Sequence, residues 1–425
     1  MKMFRYFSIL FVLLAMVLSG CAGVGQTSTP TPLPPAEYLE SALQWLQTNA
    51  VMGKNLDWDA VRRDARALTP DLLTTASAYP AICLALRSLK DNNAWLQVSQ
   101  PPDDYTGYYS QYPENRVIIK IDPGSPADQA NVKVGDVIEN LNGAPPEPYS
   151  ATLGTTCDAE SDKYSPQDQL SLRRTGQEPL IQVTIKKIPQ PADTDPSTEL
   201  VGRRLENGAN GIGYLELPFE AGSRTSYVGT VQRQIKKLDQ SPTCEWIFDL
   251  RRNPGGDIWS YLAAIGPILG EGDLGGFVYA DGRREPWAYR KGQVYWNENR
   301  RYESDIDGSV YKLKRGMPPV ALLTSPATTA AGELVVVAFQ GRPDVRTFGE
   351  ATRGLPTLIA STNLSDGASI FVSGAFSYDR NGKIYKGAIT PDVLATTNWS
   401  QFGTDQDPAI QAAQDWLKAQ LACKP

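Results

Sequence analysis

The chain has 425 residues, 41 Lys+Arg against 47 Asp+Glu for a net charge of -6, and 41% hydrophobic residues, enough apolar sequence for more than one core. Its 36 glycines and 32 prolines follow no G-X-Y period, which excludes a collagen-like chain, and the mild acidity argues against a nucleic-acid partner. Histidine is absent, so a Ser-His-Asp triad, a Cys-His pair and His-based zinc sites are excluded, and neither a metal nor a cofactor is expected.

The first segment carries Lys2 and Arg5, an apolar run from Tyr6 to Leu18, and then Leu18-Ser19-Gly20-Cys21, the layout of a signal peptide over residues 1–20. The tetrad ending at Cys21 resembles a bacterial lipobox. That resemblance implies cleavage before Cys21, lipidation of its thiol, and a protein held by acyl chains on the bacterial cell envelope, facing the periplasm or the exterior. Residues 21–35 read as a Pro-rich tether that stays extended. Cys83, Cys157, Cys244 and Cys423 remain, and four cysteines in an oxidising compartment allow three complete pairings.

Residues 36–100 read as a helical N-terminal region. Leu39, Leu43 and Leu46 recur at helical spacing, Asp59 to Leu68 runs up to a Thr69-Pro70 breaker, and a third helix spans Ala76 to Leu89. Trp45 and Trp58 are expected to pack inside it. Residues 101–198 change to short strands, notably Val117 to Ile121, Val137 to Leu141 and Ile181 to Ile188. Between them, DPGSPADQANVKVGDVIENLNG (Asp122 to Gly143) resembles the central part of a PDZ domain of bacterial periplasmic proteases. The resemblance implies a sheet edge that takes up an extended peptide, with Thr106, Gly107, Tyr108 and Tyr109 where the terminal carboxylate is captured.

Residues 199–425 alternate strands and helices in the manner of an α/β layer fold. Strands are predicted over Gly211 to Pro218, Glu245 to Leu250 and Val320 to Leu323, helices over Ser223 to Leu238, Ile258 to Leu269 and Gly332 to Phe339, followed by a β-rich tail. GEGDLGG (Gly270 to Gly276) reads as turns and DRNGK (Asp379 to Lys383) as a hairpin turn. Arg251, Arg252, Arg300 and Arg301 read as doublets on a solvated surface.

Four pieces of this region resemble, in order, the C-terminal processing peptidases, or tail-specific proteases, a family of serine peptidases. They are FDLRRNPGGDIW (Phe248 to Trp259), LLTSPATTAAGELVVVAF (Leu322 to Phe339), FGEATRG (Phe348 to Gly354) and LSDGASIFVSGAFSYDRNGKIYKGAITPD (Leu364 to Asp392). The resemblance implies a ClpP/crotonase-like layered core, an oxyanion hole near Gly255, Gly256 and the N–H of Ala331, and polypeptide C-termini or unstructured peptides as partners. It also places Ala330 at the nucleophile position, Leu355 at one family base position, and Asn93 and Ala94 at the other. A methyl group cannot attack a carbonyl. The expectation is therefore a peptide-binding pseudopeptidase. Two other readings stay open: an active peptidase whose nucleophile has moved to Ser325 or Thr329, and a small apolar ligand in a cleft lined by Trp259, Tyr261 and Phe277.

Overall fold

The computed structural model describes residues 33–98, 104–110, 116–146, 157, 166–189, 200–207, 210–217, 224–240, 243–303 and 311–420. Cys21, most of the tether and Cys423 lie outside the described residues. Three helices come first, α1 (Pro35–Asn49), α2 (Trp58–Leu68) and α3 (Tyr79–Ser88). Proline opens α1, which turns Tyr38, Leu39, Ala42, Leu43 and Leu46 inward on one face. Asp57 caps α2 by accepting the N–H groups of Asp59 and Ala60. Trp58 is buried and its indole donates to the Gly53 carbonyl, so it packs as expected. The chain then forms β1 (Trp95–Gln97).

A β module follows, with β2 (Asp104–Tyr105), β3 (Tyr108–Ser110), β4 (Ile118–Ile121), the one-turn helix α4 (Pro126–Gln129), β5 (Val137–Leu141), β6 (Gln167–Arg173), β7 (Ile181–Lys186) and β8 (Ile188–Pro189). Its strands pair antiparallel around Ile118, Ala127, Val132, Ile138, Leu170, Leu172 and Ile185. Asn142 and Gly143 both adopt positive φ, 54° and 93°, as a tight turn of this kind requires.

The rest of the chain runs β9 (Gly202–Asn207), β10 (Asn210–Glu216), α5 (Arg224–Leu238), β11 (Thr243–Asp249), α6 (Ile258–Leu269), β12 (Gly272–Tyr279), β13 (Arg284–Arg290), β14 (Gln293–Trp296) and β15 (Asn299–Glu303). After these come β16 (Val320–Thr324), α7 (Ala331–Phe339), β17 (Val345–Gly349), β18 (Thr357–Asn363), β19 (Ser369–Asp379), β20 (Ile384–Tyr385), β21 (Val393–Leu394) and α8 (Pro408–Lys418). Strands β10, β11, β16, β17 and β21 are parallel, with β9 as an antiparallel edge, in a six-stranded sheet. β11 and β16 are buried at every position, the habit of a parallel strand covered on both faces. One face of the sheet packs Leu215, Trp246, Phe248 and Leu322 against α5, α6 and α7. The other packs Ile212, Tyr214, Ile247, Leu323 and Phe348 against Ala409, Ile410, Ala413 and Leu417 of α8.

An eight-stranded antiparallel sheet lies on the far side of α6 and α7, ordered β1-β19-β12-β13-β14-β15 with β18 and β20 also on β19. Its outer face, through Ile370 and Val372, receives the N-terminal helices. The N-terminal region is thus built into the core: β1 pairs Trp95 with Phe371 and Leu96 with Ile370. A disulfide joins Cys83 of α3 to Cys157. Two sequence readings need correction here. GEGDLGG is not a run of turns, because its residues from Gly272 onward are the start of β12. Nor do Arg251 and Arg252 form a solvated doublet: Arg251 is 0% exposed and sits between Asp249 and Asp407, and Arg252 pairs with Glu216. DRNGK does turn between β19 and β20, as read.

Candidate active site

Three loops leave the carboxyl ends of neighbouring parallel strands: Leu250 to Asp257 after β11, Ser325 to Ala330 after β16, and Glu350 to Pro356 after β17. In an open α/β sheet this is the edge where ligands bind. The middle loop turns sharply from strand to helix. Its last residue, Ala330, has φ 47° and ψ -116°, a strained conformation for a residue with a Cβ. A strained strand-to-helix turn of this kind lifts one side chain above the sheet, which is how a nucleophile is presented on related architectures. Here the presented group is a methyl.

The turn is wired from below. Ser325 Oγ donates to the Arg251 carbonyl at 2.7 Å and accepts from Ala327 N–H, while Thr328 Oγ1 donates to the Leu250 carbonyl at 2.8 Å and accepts from Ser325 N–H. Both hydroxyls are fully buried and committed to holding the turn against the β11 loop. Ser325 is therefore not poised as a nucleophile. Thr329 differs: its Oγ1 is buried and has no hydrogen-bond partner among the described residues.

Asn253, which sequence reasoning did not single out, shapes the facing loop. Its Nδ2 donates to the Leu217 carbonyl, its Oδ1 accepts from Gly255 N–H at 3.0 Å, and its carbonyl accepts from Thr329 N–H. The Asn-Pro-Gly-Gly run was the available signal. Gly255 (φ 123°) approaches so closely that a Cβ there would sit 3.3 Å from the Ala330 methyl. Of the expected oxyanion donors, the Gly255 N–H is spent on Asn253, which leaves Gly256 and Ala331.

Glu333 anchors the third loop. Its fully buried carboxylate accepts from Ala330 N–H (3.0 Å), Thr352 Oγ1 (2.6 Å), Gly354 N–H (2.8 Å) and Leu355 N–H (2.8 Å). Burial pushes its pKa up to about 7, against the downward pull of these donors. Both oxygens are committed to these four donors, so the group positions the backbone around the turn instead of facing a nucleophile. Leu355 is buried and contributes only this N–H to the carboxylate.

The segment from Asp91 to Ala94 lies against β18 and β19. Asp91 accepts from Asn93 N–H, Ser373 N–H and Ser373 Oγ, Thr357 Oγ1 meets Ser373 Oγ at 3.0 Å, and Asn93 Nδ2 donates to Thr357 Oγ1 at 3.2 Å. Asn93 is buried with its amide donating into this network, and Ala94 is apolar core. Thr357 follows Leu355 by two residues, so the network and the Glu333 anchor share one short stretch of chain. Glu350 accepts from Thr397 N–H.

In the β module, Gly107 has φ 78°, and a Cβ would meet Ser125 Cβ at 2.0 Å, so only glycine fits. Ala127 N–H donates to the Thr106 carbonyl and Asp122 N–H to the Gly107 carbonyl. The hydroxyls of Tyr105 and Tyr109 both donate to Asp122 Oδ2, that of Tyr108 to Asp168, and Lys120 pairs with Asp122 at 3.0 Å. A carboxylate thus stands beside the loop expected to capture one. The module leans on the active-site turn through Ile119, Ala327 and Trp399, and Arg252 Nη1 donates to the Ile119 carbonyl. Trp259, Tyr261 and Phe277, expected as the lining of an apolar cleft, all belong to the main core, Trp259 edge-on to Phe277 and Tyr261 edge-on to Tyr227.

Residues 211–395 match the model of peptidase family S41. The nisin-resistance protein of Lactococcus lactis subsp. lactis is 30% identical over 176 residues, 41% of this chain and 50% of that protein. The chloroplastic carboxyl-terminal-processing peptidase 2 of Arabidopsis thaliana is 26% identical over 286 residues, 66% of this chain and 50% of that protein. The chain spans about half the length of these curated relatives. Among solved structures, the photosystem II D1 C-terminal processing protease superposes with a TM-score of 0.58 at 19% identity, covering 92% of this chain and 99% of that one. A lipoprotein from Streptococcus agalactiae gives 0.52 at 15% identity, covering 91% and 97%. The strand-turn-helix around Ala330 thus lies within the stretch, residues 211–395, that is similar to peptidase family S41.

Proposed function

We propose that this protein binds unstructured polypeptide segments on an S41 core without hydrolysing them. The observation that carries the reading is Ala330 itself, a methyl group at the apex of an otherwise complete presenting turn. Around it the hydroxyls of Ser325 and Thr328 and the carboxylate of Glu333 are committed, and the amide of Asn93 is donated to Thr357. Catalysis needs a nucleophile beside a base, whereas binding a peptide carbonyl needs only the N–H groups of Gly256 and Ala331. The β module, read as PDZ-like over residues 101–198, offers a sheet edge at Tyr108–Ser110 for a second contact.

The domain division at residues 36–100, 101–198 and 199–425 belongs to the same reading, as does anchoring through Cys21 at the bacterial envelope. The relatives named above include a resistance protein, processing peptidases and a lipoprotein, which supports a polypeptide as the partner. Incubating the full chain with a labelled unstructured polypeptide should give saturable binding with the polypeptide's mass unchanged. Absence of binding would remove the proposal.

One observation favours a second reading. The unpartnered Thr329 hydroxyl adjoins Ala330, where a relocated nucleophile would stand. Loss of any observed cleavage on Thr329→Val would favour it.

A further inference from the structure

We propose that Arg301 recognises a carboxylate of the bound polypeptide at the rim of the Gly255–Gly256 loop; the proposal rests on the peptide-binding reading above. Arg301 is exposed on β15. Its guanidinium lies over the rings of Trp259 (5.6 Å) and Trp296 (5.0 Å), which stack on each other with centroids 5.3 Å apart and planes 20° apart. Stacking on aromatic faces holds the guanidinium in place while its N–H edge stays available for a planar, two-point contact with a carboxylate.

The position relative to the site follows from the chain. Trp259 is the second residue of α6, four residues after Gly255, so the two backbones lie within about 14 Å. The Gly255 carbonyl is in turn bound by the Tyr261 hydroxyl at 2.6 Å, which fixes the start of α6 to the loop. Arg301 therefore stands over the helix whose entry forms one wall of the candidate site.

Two further features point to a ligand. Arg251, Arg252, Arg283 and Arg290 each pair with a carboxylate, whereas Arg301 pairs with none among the described residues. Trp296 Nε1, in the stack beneath Arg301, is buried with no acceptor among the described residues, and a buried donor left unpaired is costly. The loop from Thr106 to Tyr109, by contrast, already has the Asp122 carboxylate beside it. A free C-terminus and an acidic side chain present the same chemistry to Arg301.

Three unstructured peptides of identical neutral sequence separate the two sources: one with a free C-terminal carboxylate, its C-terminal amide, and the amide carrying one internal glutamate. Binding to the full chain, Arg301→Gln and Arg301→Lys is measured at low salt. The wild type should prefer at least one carboxylate-bearing peptide over the neutral amide by about tenfold, Arg301→Lys should keep part of that preference, and Arg301→Gln should lose it. The preferred peptide identifies the source. A preference unchanged in Arg301→Gln, or equal binding of all three peptides by the wild type, overturns the role of Arg301 and leaves peptide binding standing. Failure of the wild type to bind any of the three overturns both.

Discussion

Two arginine doublets, Arg251-Arg252 and Arg300-Arg301, read alike in sequence, and the fold gives them opposite work. Arg251 is sealed between two carboxylates and its carbonyl receives Ser325 Oγ, so a buried charge cluster holds up the turn that presents Ala330. Asp407, which caps α8, ties that same cluster to the C-terminal helix. Arg301 stands outside on two tryptophans. The difference teaches that charge in this site is divided by burial: the interior cations position backbone, and the exterior one is left to meet a ligand.

The largest expected effect tests the interior doublet. Asp407→Ala strips Arg251 of one partner and α8 of its cap, and should cost about 3–5 kcal/mol in thermal or denaturant unfolding. Arg301→Gln should cost less than about 0.5 kcal/mol. Equal losses in the two variants would erase the distinction.

Gly255→Ala comes next. The substitution places a Cβ at φ 123° and within 3.3 Å of the Ala330 methyl, and should destabilise by about 1–3 kcal/mol while weakening peptide binding. Unchanged binding in a folded variant would move the ligand away from this loop.

Carboxylates at the site also sharpen the comparison through pH. Burial raises Glu333 to about 7, above its unfolded value, so the folded state holds the extra proton between the two. Its contribution is fully present below the unfolded pKa and declines as pH rises toward 7. For Asp249 burial also raises the pKa, but the Arg251 charge and its hydrogen bonds outweigh it and the carboxyl ends below its ordinary value, so its contribution is lost only as pH falls through that lowered value. Unfolding midpoints of wild type and Glu333→Gln between pH 5 and 8 should therefore converge as pH rises. Parallel curves would show that Glu333 does not titrate in this window.

Last among the interior variants comes Ser325→Ala, which removes both buried hydrogen bonds of the Ser325 hydroxyl, should cost about 1–3 kcal/mol and should change no measured turnover.

Much of the core was legible because its signals are local. α6 was predicted over Ile258 to Leu269 and has those bounds, with Asp257 capping its start and Gly270 closing its end. β11 and β16 read off continuous apolar runs, and the order of motifs located Ala330. β12 was missed because its glycines imitate a turn. They are required there by close approach: a Cβ on Gly275 would meet the Tyr378 carbonyl oxygen at 2.2 Å, and one on Gly276 the Tyr378 hydroxyl oxygen at 2.2 Å. β1 is three residues long and pairs with a strand far along the chain, so no periodicity announces it. The burial of Arg251 depends on Asp407, 156 residues away. The same separation in sequence hid the Asp91–Ser373–Thr357–Asn93 network and the commitment of Ser325 and Thr328.

The central claim is that the presenting turn holds a peptide and performs no chemistry on it. The most direct test incubates the wild type and Ala330→Ser with one unstructured polypeptide, following its mass by mass spectrometry and its binding in parallel. Saturable binding with no cleavage by either protein is the predicted result, since Ala330→Ser restores a hydroxyl but no base. Cleavage by the wild type, lost on Thr329→Val, would contradict the claim and make this protein an active peptidase with a displaced nucleophile.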